Sequence, residues 1–352
     1  MRIHIEALKF LVQELYCHYG FEDSQAEIIA DSLVDADARG IHSHGVQRLA
    51  MYEGKIRAGT IIVDRHPELV HETSVSAVID GHEAMGQLVA HQSMSVAIHK
   101  AQQSGIGLVT VRNSNHFGTA GYFARMASQH HLLGFAATNS NPLMVPTHAA
   151  QPFLGSNPMA IAVPCQPHDI VFDAATTTVS LGKIEMLSNT AQPIPEQWAL
   201  NESGGIEHSP DALLSHLHNP EHHSGLTPLG GAGEQGGGYK GFGLALVVEI
   251  LTSVLSGGLP SVDVRGRDIS HCFAAVDIDV FGDAQAFQTR LMDMTERLLA
   301  LPSSDHQNVQ LPGDKEEQEL RRSQCNGIDI DELTTRVLNN LAAREGLEIP
   351  WL

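Results

Sequence analysis

Apolar residues recur with helical spacing near both ends of the chain. In "MRIHIEALKFLVQELYCHYG" and in "DIDELTTRVLNNLAAREG" they return every three to four positions, which predicts amphipathic helices. Ser24 and Glu27 have the spacing of a capping box, so a further helix is expected to begin at Ser24 and to end at Gly40. The first part of the chain is therefore expected to be helical.

Strands and helices alternate through the middle of the chain. "VSAVIDG" alternates like a strand, "GQLVAHQSMSVAIHKAQQSG" is an amphipathic helix, and "IGLVTVRN" is a strand of the buried type. Further helices are predicted in "GYFARMASQHH", "GYKGFGLALVVEILTSVLSG" and "AQAFQTRLMDMTERLLAL", and further strands or short apolar runs in "LLGFAATNS", "MAIAVPC", "DIVFDAA" and "CFAAVDIDVFG". This mixture predicts an α/β fold.

Residues 184–237 are polar, with scattered Pro, Gly and His, and are predicted to be an extended surface chain. "GAGEQG" within them matches GxGxxG, but no strand leads into it, so we interpret it as a flexible loop rather than a Rossmann fingerprint. Clustered imidazoles can hold a transition metal. The loop-like surroundings favour incidental binding, and no metal site is predicted at the cluster of His216, His218, His222 and His223.

Charge and cysteine content exclude several functions. The formal net charge of -20 over 352 residues argues against binding to nucleic acid or to an anionic membrane surface. The four cysteines form no CxxC pair, which argues against a disulfide framework and a zinc site. No segment reads as a signal peptide or as a membrane span of about 20 apolar residues. A cytoplasmic location is expected.

The segment "SHGVQRLAMY" places three reactive side chains four residues apart. If it is one helix, His44, Arg48 and Tyr52 share a face, with a proton carrier, an anion clamp and a hydroxyl in a row. That row suits a small carboxylic acid. A polar helix surface is the alternative interpretation.

Other candidate residues lie where predicted strands end or helices begin. In "RNSNHFGTAGYFARMA", His116 follows a strand and precedes a helix, a place where α/β proteins bind ligands and anions. Asp173 ends the apolar strand of "FDAATT" and could orient a histidine. Lys240, between glycines in "GYKGFG", suits a carboxylate or a phosphate. Helix capping is the alternative for His116 and for Asp173.

Taken together, these segments resemble the malate/L-lactate dehydrogenase family, which does not use a Rossmann fold and also includes ureidoglycolate and sulfolactate dehydrogenases, diketogulonate reductase and cyclic imino-acid reductases. The matching motifs, in order, are "DARGIHSHGVQR", "RNSNHFGTAGYFARMA", "TNSNPLMVP", "LGSNPMAIAVP", "FDAATT", "YKGFGLALVVEIL" and "LPGDKEE". The resemblance implies a helical lobe from both chain ends (1–70 and 301–352), a mixed-sheet cofactor lobe (71–300) and a homodimer.

The resemblance also implies NAD- or NADP-linked interconversion of a 2-hydroxy acid and a 2-oxo acid. His44 would be the proton donor or acceptor, with Ser43 and Asp173 as polar partners, and Arg48 would grip the substrate carboxylate. His116 is the alternative acid/base, and the choice stays open. The substrate would also meet Tyr52, Thr138 and Asn141. The implied cofactor residues are His116, Phe117, Gly118, Thr119, Ala120, Ser140, Asp173, Ala174, Ala175, Lys240, Gly313, Asp314 and Lys315.

Departures from the family pattern leave alternatives open. A glycine run lengthens the turn before Lys240, and Asn141 stands where ureidoglycolate enzymes carry an aspartate, which disfavours that substrate. Lys315 could meet the 2′-phosphate of NADP, but its acidic neighbours favour NAD. A cyclic imino-acid reductase is the nearest alternative enzyme. A non-catalytic ligand-binding protein is disfavoured because His44, Arg48 and Lys240 are present.

Overall fold

The computed structural model describes residues 1–217, 219, 223–304, 306–349 and 351. Its helices are α1 (Ile5–His18), α2 (Asp23–Ala38), α3 (Leu49–Arg57), α4 (Gly86–Ser104), α5 (Ala120–Ser128), α6 (Leu181–Asn189), α7 (Pro210–Leu217), α8 (Gly238–Glu249), α9 (Ala284–Leu299), α10 (Asp314–Asn326) and α11 (Glu332–Glu345). Its strands are β1 (Arg2–Ile3), β2 (Glu68–Glu72), β3 (Ser76–Asp80), β4 (Ile106–Ser114), β5 (Leu132–Thr138), β6 (Met159–Val163), β7 (Ile170–Ala174), β8 (Ala199–Leu200), β9 (Gly225–Leu226), β10 (Ile269–Asp277) and β11 (Ile328–Asp329).

A seven-stranded mixed sheet forms the centre of the protein, in the order β2-β3-β4-β10-β5-β6-β7. β3 and β4 pair in parallel because α4 carries the chain back between them, and the other neighbouring strands of this sheet are antiparallel. The sequence prediction of a mixed α/β fold is confirmed.

Helices α4 and α5 lie unusually close to this sheet because glycines face them. A Cβ at Gly107 of β4 would lie 2.0 Å from the carbonyl oxygen of Ala97, and a Cβ at Gly134 would lie 2.0 Å from that of Ala124. The core between these layers is built from small alanines with Phe123 and Phe273. This packing fixes the turn before α5, where several candidate residues lie.

The two chain ends form one helical lobe. β1 pairs with β11, with Ile3 opposite Ile328, and α1 packs against α2 and α11. Leu8, Leu33 and Leu338 are fully buried in its core. The predicted helical lobe from both chain ends is therefore confirmed, although α2 begins at Asp23, with the Glu22 N–H bonded to Gln25 Oε1 at 3.1 Å, and not at Ser24.

The prediction of an extended chain over 184–237 is wrong. The segment contains most of α6, α7 and the β8–β9 pair, and buries Ile184, Ile194 and Leu213 in a core of its own. Its apolar residues are too few and too irregularly spaced to show a period, yet they converge once the chain folds. The prediction of a loop at 231–236 is confirmed, since turns fill it and α8 begins only at Gly238.

Within the described part of the chain, no helix is long and apolar enough to cross a membrane. The histidine cluster falls partly outside it, because His218 and His222 are not among the described residues. His216 Nδ1 lies 2.8 Å from the Ser224 hydroxyl. The described residues contain no group of three His, Cys, Asp or Glu side chains placed to hold a metal ion.

Candidate active site

A cavity of about 1100 Å³ lies where the helical lobe meets the ends of β5 and β7 and the turn before α5. It brings together residues that are far apart in the sequence. The predicted residues that line it are Ser43, His44, Arg48, His116, Gly118, Thr119, Ala120, Ser140, Asn141, Asp173, Ala174, Ala175, Gly313 and Lys315. Their roles stay predictions, but their convergence supports one site.

The segment that carries His44 is not one helix. His42–His44 and Val46–Arg48 form two short 3-10 turns, and α3 begins at Leu49. The predicted single helical row is therefore wrong as local structure. The turns nevertheless place His44 and Arg48 in the same cavity, because they are followed directly by α3.

Asp37, at the end of α2, holds these turns. Its carboxylate is 2% exposed, accepts the Val46 N–H at 2.7 Å, and lies 2.9 Å from His42 Nδ1. Gly45 packs so tightly against it that a Cβ there would lie 2.1 Å from Asp37 Oδ2. No sequence pattern pointed to Asp37, because it is one of many acidic residues on a helix and carries no local signal.

The two candidate histidines lie face to face. Their ring centroids are 5.6 Å apart with an angle of 23° between the planes. The Ser43 hydroxyl lies 2.9 Å from His44 Nδ1. Tyr52 Oη lies 2.7 Å from His116 Nδ1, and the Gly118 N–H donates to that same nitrogen at 3.4 Å. His116 Nδ1 is therefore an acceptor, Tyr52 is its donor, and the neutral ring carries its proton on Nε2.

Both imidazoles are neutral at pH 7. Burial, helped by the nearby Arg48 charge, lowers the pKa of His44 to about 4. Burial and the neighbouring His44 and Lys55 hold the pKa of His116 well below its usual range. A neutral imidazole accepts a proton at its unprotonated nitrogen, so His44 is prepared to act as a base in an oxidation.

Arg48 forms an ion pair with a carboxylate of its own chain. Its Nη2 and Nη1 donate to the two oxygens of Glu185 at 2.9 and 3.3 Å, and its Nε donates to the Ser43 carbonyl at 2.6 Å. This is the forked geometry that a substrate carboxylate would need. Glu185 lies in α6, 137 residues along the chain, and the sequence analysis missed it because no local pattern links the two.

Lys55 is a further cation of the cavity that the sequence analysis missed. Its ammonium donates to the carbonyl of Gly266, whose N–H donates in turn to Asn141 Oδ1 at 2.7 Å. Burial lowers the pKa of Lys55 to about 8. A signal was present in the sequence, because Lys55 follows Arg48 by seven residues and so lies on the same helical face.

Three predicted residues contact protein rather than the cavity. Tyr52 is fully buried and holds His116, and Phe117 is buried in the sheet core. The Thr138 hydroxyl lies 2.8 Å from the buried His271. The structure thus does not place Tyr52 or Thr138 in contact with the cavity, because their hydroxyl groups bond to histidines inside the protein.

Three further predicted residues have contacts that differ from those expected at a cofactor or catalytic site, and they are Lys240, Asp314 and Asp173. Lys240 is exposed at the start of α8, beside the ring of Tyr239, and does not line the cavity. Asp314 Oδ2 accepts the Leu311 N–H at 2.8 Å at the start of α10. Asp173 lines the cavity, but its carboxylate accepts the Gly121 N–H at 2.7 Å and does not hold His44.

Sequence similarity assigns this chain to a known family. The sequence profile described as malate/L-lactate dehydrogenase matches residues 3–339. This chain belongs to the malate/L-lactate dehydrogenase family. The resemblance seen in the motifs is thereby confirmed over nearly the whole chain.

The family relatives match along their full length. Malate dehydrogenase of Pyrococcus abyssi is 36% identical over 354 residues, which cover 99% of this chain and 96% of the relative. Malate/(S)-sulfolactate dehydrogenase of Methanothermus fervidus is 30% identical over 358 residues, 100% of each. The crystal structure of malate dehydrogenase from Entamoeba histolytica has a TM-score of 0.94 at 28% identity and covers 99% of both chains. The mixed-sheet fold is that of this dehydrogenase family.

Proposed function

We propose that this member of the family is an NAD(P)-dependent oxidoreductase that interconverts a small 2-hydroxy acid and its 2-oxo acid. The observation that carries the proposal is the stacked pair of neutral histidines beside Arg48 in one cavity. A neutral base next to a carboxylate clamp is what removal of a hydroxyl proton from a 2-hydroxy acid requires. The names of the relatives, malate and sulfolactate dehydrogenases, support this substrate class.

The rest of the cavity fits a dinucleotide. Its volume of about 1100 Å³ exceeds the upper end of the range of ~300–1,000 Å³ usual for small-molecule pockets. Gly118–Ala120 before and at the start of α5 and Gly313–Lys315 at the start of α10 would hold it, because helix starts present N–H groups to phosphates. Gly313 has a φ of +96° and packs against Val171, which brings the backbone to the cavity wall. When bound, the nicotinamide supplies or accepts the hydride.

We propose NAD as the preferred cofactor. The 2′-phosphate of NADP needs an unpaired cation, and Arg39 in this part of the cavity is paired with Asp35 at 2.9 Å and with Glu317 at 3.4 Å. Glu316 lines the same wall. Lys315 also lines this cavity, and the acidic residues Asp314 and Glu316 flank it.

We propose His44 as the acid/base. Ser43 holds its Nδ1, which leaves Nε2 to take the hydroxyl proton in oxidation and to return it in reduction. His116, held by Tyr52, excludes water from the far face of that ring. The substrate carboxylate takes the place of the Glu185 carboxylate on Arg48, because both anions need the same pair of N–H donors.

The experiment that tests the proposal is absorbance of the nicotinamide at neutral pH. NADH or NADPH is mixed with 2-oxo acids and with pyrroline- and piperideine-carboxylate, for wild type, His44→Gln and His116→Gln. Oxidation with 2-oxo acids that is lost in His44→Gln supports the proposal. Turnover of imino acids alone would make the protein an imino-acid reductase. Survival in His44→Gln would transfer the acid role to His116, and no turnover would refute the proposed function.

We also propose a cytoplasmic homodimer, as the family resemblance implies. α8 and the π-helical segment that continues it (Ile250–Val254) leave Leu244, Val247 and Val254 exposed at 43%, 53% and 64%. Such a row of large apolar side chains supports burial by a second copy. Light scattering coupled to size-exclusion chromatography tests it: a mass of twice 38.0 kDa is expected, and a monomer at micromolar concentration would contradict it.

A further inference from the structure

Two cations lie on the cavity face of α3. Arg48 caps the start of this helix, and Met51 and Lys55 follow at the i+3 and i+7 positions, so all three line the cavity. At 1.5 Å of rise per residue, the backbones of Arg48 and Lys55 are about 10 Å apart along the helix. Both charges lie close enough to His116 to lower its pKa, and both side chains line the cavity beside the histidine pair.

The two cations differ in whether a nearby carboxylate neutralises their charge. Arg48 is neutralised by Glu185 in a bidentate ion pair. Lys55 has no carboxylate within ion-pair distance among the described residues, and its ammonium donates to the carbonyl of Gly266. A mostly buried charge without an opposite charge is costly unless a ligand supplies one. Among the described residues, Lys55 therefore presents an unmatched positive charge to the cavity near the histidine pair.

The surroundings hold that charge at a fixed place. Gly266 connects Lys55 to Asn141, because its carbonyl accepts from the ammonium and its N–H donates to the Asn141 side chain. All three residues line the cavity. An anion that reaches Lys55 would thus meet an oriented ammonium group, and two of its three N–H donors would be available to the anion.

We propose that Lys55 binds a second anionic group of the substrate, so that the enzyme selects 2-oxo and 2-hydroxy acids that carry a second carboxylate or sulfonate. This inference rests on the proposed function, with the first carboxylate on Arg48 and the reacting carbon between the two cations. Monoanionic acids such as pyruvate lack a group for Lys55 and leave its charge unmatched.

A purely structural role for Lys55 predicts something different. If Lys55 only fastened the loop at Gly266, its loss would disturb the binding of every substrate by the same factor. A specificity role predicts that only substrates with a second anion are affected. The comparison of two substrates in one variant therefore separates the two roles.

The experiment measures kcat/KM for oxaloacetate and for pyruvate in wild type, Lys55→Gln and Lys55→Arg. Lys183→Gln, an exposed lysine of α6, is the matched control. For oxaloacetate, Lys55→Gln should lower kcat/KM by about 30-fold or more, mostly through KM, which corresponds to about 2 kcal/mol. For pyruvate the change should stay within about threefold, and Lys55→Arg should recover part of the loss. Equal losses for both substrates, or no loss for either, would overturn the proposal.

A binding measurement keeps this inference separate from the proposed reaction. Calorimetry with succinate and with butyrate compares a dicarboxylate with a monocarboxylate of the same length, neither of which reacts. Wild type should bind succinate at least about tenfold more tightly, and Lys55→Gln should bind the two alike. If the protein prefers succinate but turns over no 2-oxo acid, the proposed anion site at Lys55 is supported and the proposed oxidoreductase reaction is refuted. Equal binding by wild type would refute the Lys55 site.

Discussion

Replacing Glu185 with glutamine should free the arginine clamp. Arg48 and Glu185 are 19% and 27% exposed, so their pair is worth more than the roughly 0–1 kcal/mol of a surface pair and less than a dry one. We take about 1–2 kcal/mol as the free energy by which Glu185 opposes the binding of a substrate carboxylate to Arg48. Its removal then corresponds to about 5- to 30-fold tighter binding of that carboxylate. Glutamine keeps the shape of Glu185 and still accepts one hydrogen bond.

The same substitution should lower the pKa of His44, which does not favour the reduction. Glu185 raises the pKa of His44 against the larger lowering effects of burial and Arg48, so its removal lowers that pKa further. Less imidazolium is then present, and the rate of reduction at neutral pH should not rise. We therefore expect KM for the 2-oxo acid to fall while kcat for reduction stays level or falls.

The assay combines KM from nicotinamide absorbance with the dissociation constant of an unreactive carboxylate, measured by calorimetry. Glu196→Gln, an exposed glutamate further along the chain, controls for the loss of one negative charge. A higher dissociation constant in Glu185→Gln would show that Glu185 orients Arg48 rather than competing for it. An unchanged value would show that the substrate does not use the same donors.

Four further predictions concern the residues around this clamp. Tyr52→Phe should lower the free energy of unfolding by about 0.5–1.5 kcal/mol, measured in urea, because His116 loses its buried hydroxyl donor; no change would contradict the hydrogen bond. Since the pKa of His44 is lowered to about 4, kcat/KM for oxidation should be level above pH ~5 and fall about tenfold per pH unit below ~4, and a break near 6.5 would refute this. The lowered pKa of His44 also makes stability depend on pH. Between pH 6.5 and about 4 the imidazole is protonated in the unfolded chain and neutral in the folded protein, so the unfolding free energy of wild type relative to His44→Gln should decrease as pH falls through this range. Gly45→Ala should cost about 1–3 kcal/mol and most of the activity, whereas Gly54→Ala, whose Cβ meets open space, should be neutral or slightly stabilising; equal effects would contradict the tight packing at Gly45.

The parts of the site that the sequence could predict lie where one element ends. His116 follows β4 and precedes α5, and Asp173 lies near the end of β7. Strand ends and helix starts are where α/β proteins bind ligands, so local patterns sufficed to select these two residues, while their convergence was predicted from the family resemblance. The alternation of strands and helices predicted the fold class for the same reason.

The parts that escaped prediction depend on contacts between distant segments. The turns at His44 form because the buried Asp37 carboxylate takes the Val46 N–H, which a helical period cannot reveal. Glu185 meets Arg48 from a segment whose few apolar residues show no period, so that segment was expected to be extended chain. Lys240 was predicted at the site from its flanking glycines and from the family resemblance, and in the structure its side chain is exposed at the start of α8.

The most direct test of the central claim follows the hydrogen itself. Wild type and His44→Gln are given a 2-oxo acid with reduced nicotinamide that carries deuterium at both C4 positions, and the product is examined by mass spectrometry and NMR. The account predicts a 2-hydroxy acid with one deuterium at C2 from wild type, formed at least about 100-fold more slowly by His44→Gln. A product without deuterium at C2, or equal transfer by the variant, would contradict it.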